Sequence, residues 1–573
     1  MEELNKNMLI VTDAIFREEW EQVAKTASQI ANHPQPPIAE KMRILSFVGS
    51  SGNKFKSFDK QTHQTRSIFM NKNKMASYTL IGFYAILLTG CAVGPDFQRP
   101  VPPDVAGYTS TPLTTNFDVS PTMLGDPQNI IKGERLTKYW WRAMSAEKLD
   151  ILIGEALERN PTLMAAEATL RQAQELFAAR AGSTLYPQID GNLGGQRQRF
   201  NPGTLGQTGE AREFSLYNAG IGVRYTFDLA GGNRRALEAL AARSDYQQFQ
   251  LEGARLTLVA NIVTTAITQA SLKRQTGIIE NILKSQENQL ELTRERIRLG
   301  HEEPDDALAL QTQLEQTRAK LPPLRYQLQQ NDHFLAVLVG KAPGESLLPS
   351  FTLEDFTLPP ELPLLIPSEL VHARPDILGA EALLHASNAE YGVAISKLYP
   401  QLNLSADLGS QALTTGALFG GGSAVWSLVG QLTQPLFNSG LPAEKRAALA
   451  AFDAAAANYQ SVVLEALRNV ADVLRALEND SKRLEALSAA DFASEKSLES
   501  TQRRYRLGAT SYYDLLIAQQ QRLQTELDLT EGQAKRLVNT AAFYQAMGGG
   551  LCDIAGNAGV VSKAQSAERK ASR

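Results

Sequence analysis

The sequence predicts a mainly α-helical protein with a transmembrane β part, built from a duplicated unit. Three observations support this fold class: short segments in which apolar and polar residues alternate, two very long helical segments without interior proline, and an internal repeat. Each half of the repeat is expected to contain two strands followed by a long helical hairpin. At 573 residues, the chain is long enough for such a duplication.

The internal repeat is clearest where Arg298-Leu299-Gly300 returns 208 residues later as Arg506-Leu507-Gly508. Seven ungapped identities in one short window are difficult to obtain by chance, so we interpret them as a duplication. The first copy is assigned to 146–345, a linker to 346–366 and the second copy to 367–550. The four identities beyond the tripeptides pair Asp306 with Asp514, Leu308 with Leu516, Gln311 with Gln519 and Gln313 with Gln521.

Each half is predicted to open with a helical segment, over 146–183 and 367–396, rich in Ala, Leu, Glu and Gln. Both segments end at a Tyr-Pro pair, because a residue that precedes proline is disfavoured in the α region. Near the start of each segment a proline follows a polar residue, at Asn160-Pro161 and at Arg374-Pro375.

Alternating segments follow each opening helix. Over 217–228 and 401–409, apolar residues alternate with polar residues or glycine, and the segments 188–197 and 424–436 alternate less cleanly. A period of two over about ten residues is typical of a transmembrane strand with one lipid face and one water face. A half-buried strand of a soluble sheet has the same pattern, and it is the alternative for any one strand taken alone.

The alternating segments lead into two long helical segments, over 232–298 and 441–506, and each is followed by a returning helix, over 304–342 and 511–547. At 1.5 Å per residue, about 66 residues extend ~100 Å, which favours a coiled coil or an α-barrel over a globular core. Both long segments end at Leu-Gly, since glycine accepts the positive φ of a helix terminus.

The number of predicted strands requires an oligomer. Four strands cannot close a membrane barrel, and an open edge in lipid leaves backbone groups unpaired. Eight strands make about the smallest barrel, whose lumen is filled by side chains. Three chains supply a twelve-stranded β-barrel with room for a conduit, and the long helices then continue the tube as an α-barrel.

The first 69 residues do not fit this plan. They are polar, mixed in charge and contain a proline cluster, whereas a secretory signal works at the start of a chain. We therefore expect translation to begin at Met70 or Met75 and residues 1–69 to be absent from the mature protein. A cytoplasmic extension is the alternative.

Residues 70–90 are predicted to be a lipoprotein signal peptide. Two lysines precede an apolar run of roughly a dozen residues, too short to span a bilayer, that ends in Leu88-Thr89-Gly90-Cys91. This tetrapeptide resembles a bacterial lipobox. The resemblance implies cleavage between Gly90 and Cys91, with N-acyl and diacylglycerol lipid on Cys91 and no other cofactor. Ala92 follows where an aspartate would favour retention in the inner membrane, so the resemblance indicates the outer membrane.

The remaining segments are short of regular patterns. Residues 91–145 are predicted to be a lipidated extended segment, largely irregular, and 551–573 a disordered tail. The net charge of −4 shows no basic excess that would indicate a nucleic-acid partner. With Cys91 assigned to lipid, Cys552 stands alone, so no disulfide is expected.

Several motifs together resemble the TolC-type outer membrane factors, and more narrowly the NodT-type lipoprotein subfamily that serves resistance-nodulation-division efflux systems. The resemblance covers about 88–550 and implies a homotrimer in the outer membrane, with a barrel open to the outside and a periplasmic α-barrel closed at its tip. It also implies a periplasmic adaptor (membrane fusion) protein docked on that tip and a proton-driven pump in the inner membrane. The motifs are the lipobox, Val93-Gly94-Pro95-Asp96-Phe97-Gln98-Arg99-Pro100, Asn160-Pro161, Arg374-Pro375-Asp376 with Ala380-Glu381, and the two Arg-Leu-Gly turns.

Two sets of site residues follow from the resemblance. The adaptor-docking tip comprises Arg298, Leu299, Gly300, Arg506, Leu507 and Gly508, although both arginines have an alternative role at the ends of their own helices. Relatives narrow the pore with an acidic ring one turn into the last helix, whereas here the nearest acid is Asp514. We therefore expect Tyr512, Tyr513 and Ile517 to form an apolar constriction, and we assign the periplasmic aperture to Tyr513, Asp514 and Ile517.

No metal or catalytic site is predicted. His301 is expected to be a solvated loop residue at the first tip, and His372 and His385 to lie on a helix surface without partners at ligand spacing. Asp305 and Asp306 fit the first turn of a helix, where the helix dipole favours acids.

The predicted function is a passive exit duct of a tripartite efflux pump rather than an enzyme. A duct for type I protein secretion is an alternative of the same class, which the neighbouring genes would distinguish. A lipid-anchored structural coiled-coil protein without a pore is the alternative of a different class.

Overall fold

The computed structural model describes residues 92–550 except 106, 114–115, 118–121, 135, 207 and 346–347. The predictions for residues 1–69, for the signal segment with Gly90 and Cys91, and for the tail from 551 concern residues outside this part of the chain.

The described residues form seven strands and eight α-helices, with a few short 3₁₀ turns between them. The strands are β1 (Asn116–Phe117), β2 (Gln128–Lys132), β3 (Gln188–Phe200), β4 (Arg212–Phe227), β5 (Glu361–Leu364), β6 (Gln401–Ala412) and β7 (Ala424–Thr433). The helices are α1 (Glu147–Arg159), α2 (Pro161–Leu185), α3 (Gly232–Arg298), α4 (Pro304–Leu338), α5 (Pro367–Leu370), α6 (Pro375–Ser396), α7 (Gly440–Arg506) and α8 (Tyr512–Ala546).

The four predicted strands form one antiparallel sheet in the order β3-β4-β6-β7. The central pairing joins the two halves of the chain, since Ile221 of β4 is opposite Leu408 of β6. Each half therefore contributes one hairpin, and the prediction of two strands followed by a long helical hairpin per half is confirmed.

The two helical hairpins have matching dimensions. The helices α3 and α7 each contain 67 residues, and the returning helices α4 and α8 each contain 35. The copies differ inside the returning helix, because only α4 carries adjacent prolines, Pro322 and Pro323, in its interior. None of the helices in the described ranges has a stretch both long and hydrophobic enough to traverse a bilayer.

The opening helical segments are broken, which corrects the prediction of one continuous helix in each half. The first break is at Asn160, whose side chain accepts hydrogen bonds from the backbone N–H groups of Thr162 and Leu163 and donates one to the Leu338 carbonyl. In the second half, the Arg374 guanidinium donates to the Ala546 carbonyl in the same way. In both halves the residue before the proline thus holds the last residue of the returning helix.

A second sheet lies outside the duplicated unit and was not predicted. It has the order β1-β2-β5, in which β1 pairs antiparallel with β2 and β2 pairs parallel with β5. The segment 91–145 and the linker 346–366 are therefore joined by backbone pairing and are not simply irregular. The main core lies beside them, where the buried Trp140 ring stacks on Tyr544 at a centroid distance of 5.2 Å.

Candidate functional site

The tips of the two helical hairpins have the same backbone geometry. At the first tip Gly300 has φ +76°, and the His301 N–H donates to the Arg296 carbonyl at 2.9 Å. At the second tip Gly508 has φ +70°, and the Ala509 N–H donates to the Arg504 carbonyl at 2.8 Å. These bonds form a Schellman motif, which ends a helix with a left-handed residue and satisfies its last carbonyls.

Each turn exposes a leucine and an arginine to solvent. Leu299 is 59% exposed and Leu507 is 83% exposed, which is unusual for large apolar side chains at a helix terminus. Arg298 forms an ion pair with Glu295 of its own helix. No ion pair involves Arg506 in the part of the chain that the structure describes.

A partly buried hydrogen bond joins the two hairpins directly behind these turns. Glu302, in the loop of the first tip, accepts hydrogen bonds at 2.9 Å from Arg296 of its own hairpin and from the Tyr505 hydroxyl of the second hairpin. The Glu302 side chain is only 16% exposed, and its second carboxylate oxygen is buried without a partner. The sequence patterns did not indicate this contact, because its two residues are 203 positions apart.

Two tyrosines complete the contact. Tyr505 packs edge-to-face on Tyr512 at 5.7 Å, and burial together with the Glu302 carboxylate raises the pKa of Tyr505 to about 12. Burial also raises the pKa of Tyr512. Because Tyr505 keeps its proton at physiological pH, it remains a donor to Glu302. This contribution is complete below the usual tyrosine pKa of about 10 and is lost as the pH rises through about 12.

The aperture residues have three different environments. Tyr512, which we expected near an apolar constriction, is instead 7% exposed and belongs to the apolar cluster between the hairpins. Tyr513 is 69% exposed and Ile517 is 39% exposed, so both remain available at the surface. Asp514 caps α8: its carboxylate accepts from the hydroxyls of Ser511 and Thr510, and these bonds lower its pKa. This capping role accounts for the acidic residue at position 514, so an acidic gate is not needed to explain it.

The predicted polar candidates form no metal site. His301 is exposed at the first tip, and Asp305 and Asp306 occupy the first turn of α4, as expected from the helix dipole. Within the described ranges, no group of three or more His, Cys, Asp or Glu side chains is placed to hold a metal ion.

Comparison with known proteins decides the family. The model of the family described as outer membrane efflux protein matches residues 152–341 and again 366–549, which together are more than half of the chain. This protein belongs to the outer membrane efflux protein family. Its function is accordingly that of an outer-membrane efflux channel and not that of an enzyme.

The relatives of this chain are named as outer membrane proteins of efflux or export systems. The probable efflux pump outer membrane protein TtgC of Pseudomonas putida is 29% identical over 477 residues, covering 83% of this chain and 96% of that protein. The pyoverdine export outer membrane protein OpmQ of Pseudomonas aeruginosa is 30% identical, covering 72% and 87%. The open-state crystal structure of the MtrE outer membrane channel of Neisseria gonorrhoeae superposes with a TM-score of 0.68 at 27% identity, covering 80% of this chain and 99% of that one.

The outer membrane efflux protein has a second organised region, at the opposite end of the long helices. We call residues 93–100 the strap. The Arg235 side chain, 4% exposed, lies beneath the strap and binds Asp96 at 2.6 Å, Glu238 at 2.8 Å and the carbonyl of Gly94 at 3.2 Å. Gly94 has φ +92°, and a Cβ there would lie 2.9 Å from the Gly392 Cα, so only glycine fits this approach.

His385 takes part in docking the strap, which corrects the prediction that it lies unpartnered on a helix surface. Its ring stacks on Phe97 at 4.3 Å, and its Nε2 lies 2.8 Å from Glu238. His372, by contrast, is exposed, as we expected. The strap thus joins α3 of the first half to α6 of the second half. Long-range pairing of this kind has no signature in local sequence.

Proposed function

We propose that this chain is the exit duct of a tripartite efflux pump and works as a homotrimer whose twelve strands close one β-barrel. The observation that carries this proposal is the four-stranded sheet, whose outer strands β3 and β7 each have one edge without a partner strand in the described chain. Unpaired backbone groups cost several kcal/mol each in lipid. Pairing β3 of one protomer with β7 of the next removes both edges.

The faces of the sheet support a position in the membrane. Through the register, apolar residues of neighbouring strands share one face of the sheet, and most polar residues share the other. One face carries the row Ile189, Val223, Ala406 and Leu428, and the opposite face carries the row Asp190, Gly222, Asp407 and Ser427. An apolar face toward lipid and a polar face toward a water-filled lumen are the requirement for a transmembrane barrel of this size.

The helices support a conduit that continues below the membrane. Helices α3 and α7 begin within a few residues of the sheet and, at 67 residues, extend ~100 Å from it. Their tips are therefore far from the membrane, where an adaptor anchored on a proton-driven inner-membrane pump can bind. The exposed Leu299 and Leu507, with Arg506 beside them, are the surface we assign to the adaptor.

The strap supports lipid anchoring through Cys91. The Val93 N–H donates to the Ala230 carbonyl at 2.9 Å, in the short connection between β4 and α3. Only Ala92 separates Val93 from Cys91, so an acylated Cys91 would be held near the inner boundary of the membrane. N-acyl and diacylglycerol chains on Cys91 there enter the inner leaflet, and several chains anchor a protein firmly.

The proposal is tested with purified full-length protein in planar bilayers and by gel analysis with and without heating. We expect heat-modifiable trimers and discrete channel conductance. A structural coiled-coil protein without a pore would give neither result, and folded trimers without conductance in any condition would contradict the duct.

The link between Glu302 and Tyr505 is expected to keep the tip closed. Tyr505→Phe removes a hydrogen bond to a charged group, a change of about 1.5 kcal/mol or more, and should therefore raise the open population of the tip about tenfold. Channel conductance and susceptibility to a large antibiotic that the outer membrane normally excludes should both increase. Tyr326→Phe is the matched control, because Tyr326 is exposed on α4 and its hydroxyl contacts Gln330 of the same helix, away from this contact. Equal behaviour of the two variants would contradict the proposed latch.

A further inference from the structure

Aromatic side chains on the apolar face of β4 mark the height of the membrane-facing band. Tyr217 lies near one end, and Tyr225 and Phe227 lie at the other. The ten residue-to-residue steps from Tyr217 to Phe227 span about 33 Å along a strand, or about 25 Å of height at a tilt of about 40°. This is the height of the apolar band of an outer-membrane barrel, which aromatic residues border on both sides.

Strand β3 continues beyond this band with two arginines. Gly195 is paired with Tyr217, so Arg197 and Arg199 lie two and four residues further along β3 and, by alternation, on the same outward face. Both side chains are exposed, that of Arg197 by 75%. They therefore stand just above the level at which acyl chains give way to headgroups.

The charges around these arginines leave a positive surface. Glu213, opposite Arg199 on the same face, pairs with Arg197 at 3.2 Å. Arg199 has no ion-pair partner in the part of the chain that the structure describes. Arg212 lies on the opposite face, and Glu210 in the connecting turn. One positive charge per chain, and three per trimer, thus remains on the outward face.

The second hairpin provides an internal comparison. Its connection, residues 413–423, contains no charged residue, and Phe419 within it is 81% exposed. The positive surface is therefore particular to the β3-β4 hairpin and is not a general property of the extracellular end of the sheet.

We propose that the outward face of β3 binds a phosphorylated lipid of the outer leaflet, with its phosphate at Arg197 and Arg199 and its acyl chains along Leu193 and Ile189. Guanidinium groups bind phosphate through paired, charge-assisted hydrogen bonds. Leu193 and Ile189 are 81% and 70% exposed on the same face of the same strand, which provides the apolar path below the phosphate. This inference rests on the proposed function, because it takes that face to meet lipid.

The test uses detergent-purified trimers of the full chain, incubated with bis-phosphorylated lipid A, with bound lipid counted by native mass spectrometry. Each arginine near an anionic surface changes affinity about fivefold, so Arg197→Gln with Arg199→Gln should weaken binding about twentyfold or more. Arg224→Gln is the matched control, because Arg224 pairs with Asp190 on the lumen face and should leave lipid A binding unchanged. Lipid A without phosphates should bind wild-type trimers as weakly as the double variant binds intact lipid A.

Three results would overturn the inference: unchanged binding by the double variant, equal binding of dephosphorylated lipid A, or complete competition by excess inorganic phosphate. If the double variant does not form trimers, Arg199→Gln alone replaces it, since Arg199 has no ion pair among the described residues, and a fivefold loss is then expected. Failure of the wild-type chain to form membrane-competent trimers would instead contradict the proposed function.

Discussion

Arg506→Glu is expected to abolish the drug resistance that the assembled pump confers while leaving the protein folded and trimeric. Arg506 is the last residue of α7, it is exposed, and no intramolecular ion pair holds it among the described residues. Reversing its charge places an acid on the proposed docking surface, and like charges in an interface cost several kcal/mol. The loss to α7 itself is limited to about 0.5–1 kcal/mol through the helix dipole.

The measurement is the minimal inhibitory concentration in cells that depend on this duct, together with trimer content in heated and unheated gels. Arg503→Glu is the control, because Arg503 is also an exposed base in the last turn of α7 but lies almost one turn before Arg506. Equal loss of resistance in both variants would mean that charge near the helix end matters and that docking at Arg506 does not. Loss of trimers in Arg506→Glu would identify a structural turn instead of a docking surface.

Gly508→Pro should remove resistance through the same surface by a different route. Proline fixes φ near −65°, whereas Gly508 has φ +70°, and its N–H donates to the Tyr505 carbonyl at 3.0 Å. The Schellman turn cannot form, so Leu507 is displaced from the tip. Trimers assembled through the sheet should persist, and gels without heating should detect them.

Arg235→Ala is expected to lower the free energy of unfolding by about 2 kcal/mol, because it removes a buried guanidinium that makes charge-assisted hydrogen bonds, although its partner Asp96 is exposed. The change leaves Glu238 without one of its partners and removes the donor to two strap carbonyls, those of Val93 and Gly94. The strap should then detach, so limited proteolysis should cut near residue 100, and trimers should dissociate at lower temperature.

The control for this change is Arg243→Ala, on the same helix. Arg243 pairs with Glu390 of α6 and so also joins α3 to another segment. The two side chains are, however, about half exposed, at 56% and 41%. Exposed pairs contribute about 0–1 kcal/mol. Similar destabilisation by the two substitutions would show that the burial of Arg235 has no special role.

The four strands of the larger sheet and the long helices could be predicted from the sequence because local patterns specify them. The alternation over 217–228 predicted β4, found at Arg212–Phe227, and the proline-free segment 232–298 predicted α3 with its observed bounds. A period of two or of 3.6 is visible within a few residues, since it reflects the direction of successive side chains. The repeat of 208 residues extended each local prediction to a second copy.

Contacts between distant segments could not be predicted in this way. The bond from Tyr505 to Glu302, the Arg235 contact with Asp96 and the pairing of β2 with β5 each join residues separated by more than a hundred positions. The same limit explains why Tyr512 and His385 were misplaced: each was judged by its neighbours in sequence, whereas its burial depends on another element.

By itself, the sequence determined the four strands of the larger sheet, the long helices, their duplication and the glycine turns at the tips, because these depend on interactions within a few residues. Only the tertiary structure decided how the two tips are joined, how the strap is held and which polar groups are buried. Those features depend on which surfaces meet after the chain has folded, and no periodic pattern in the chain encodes that choice.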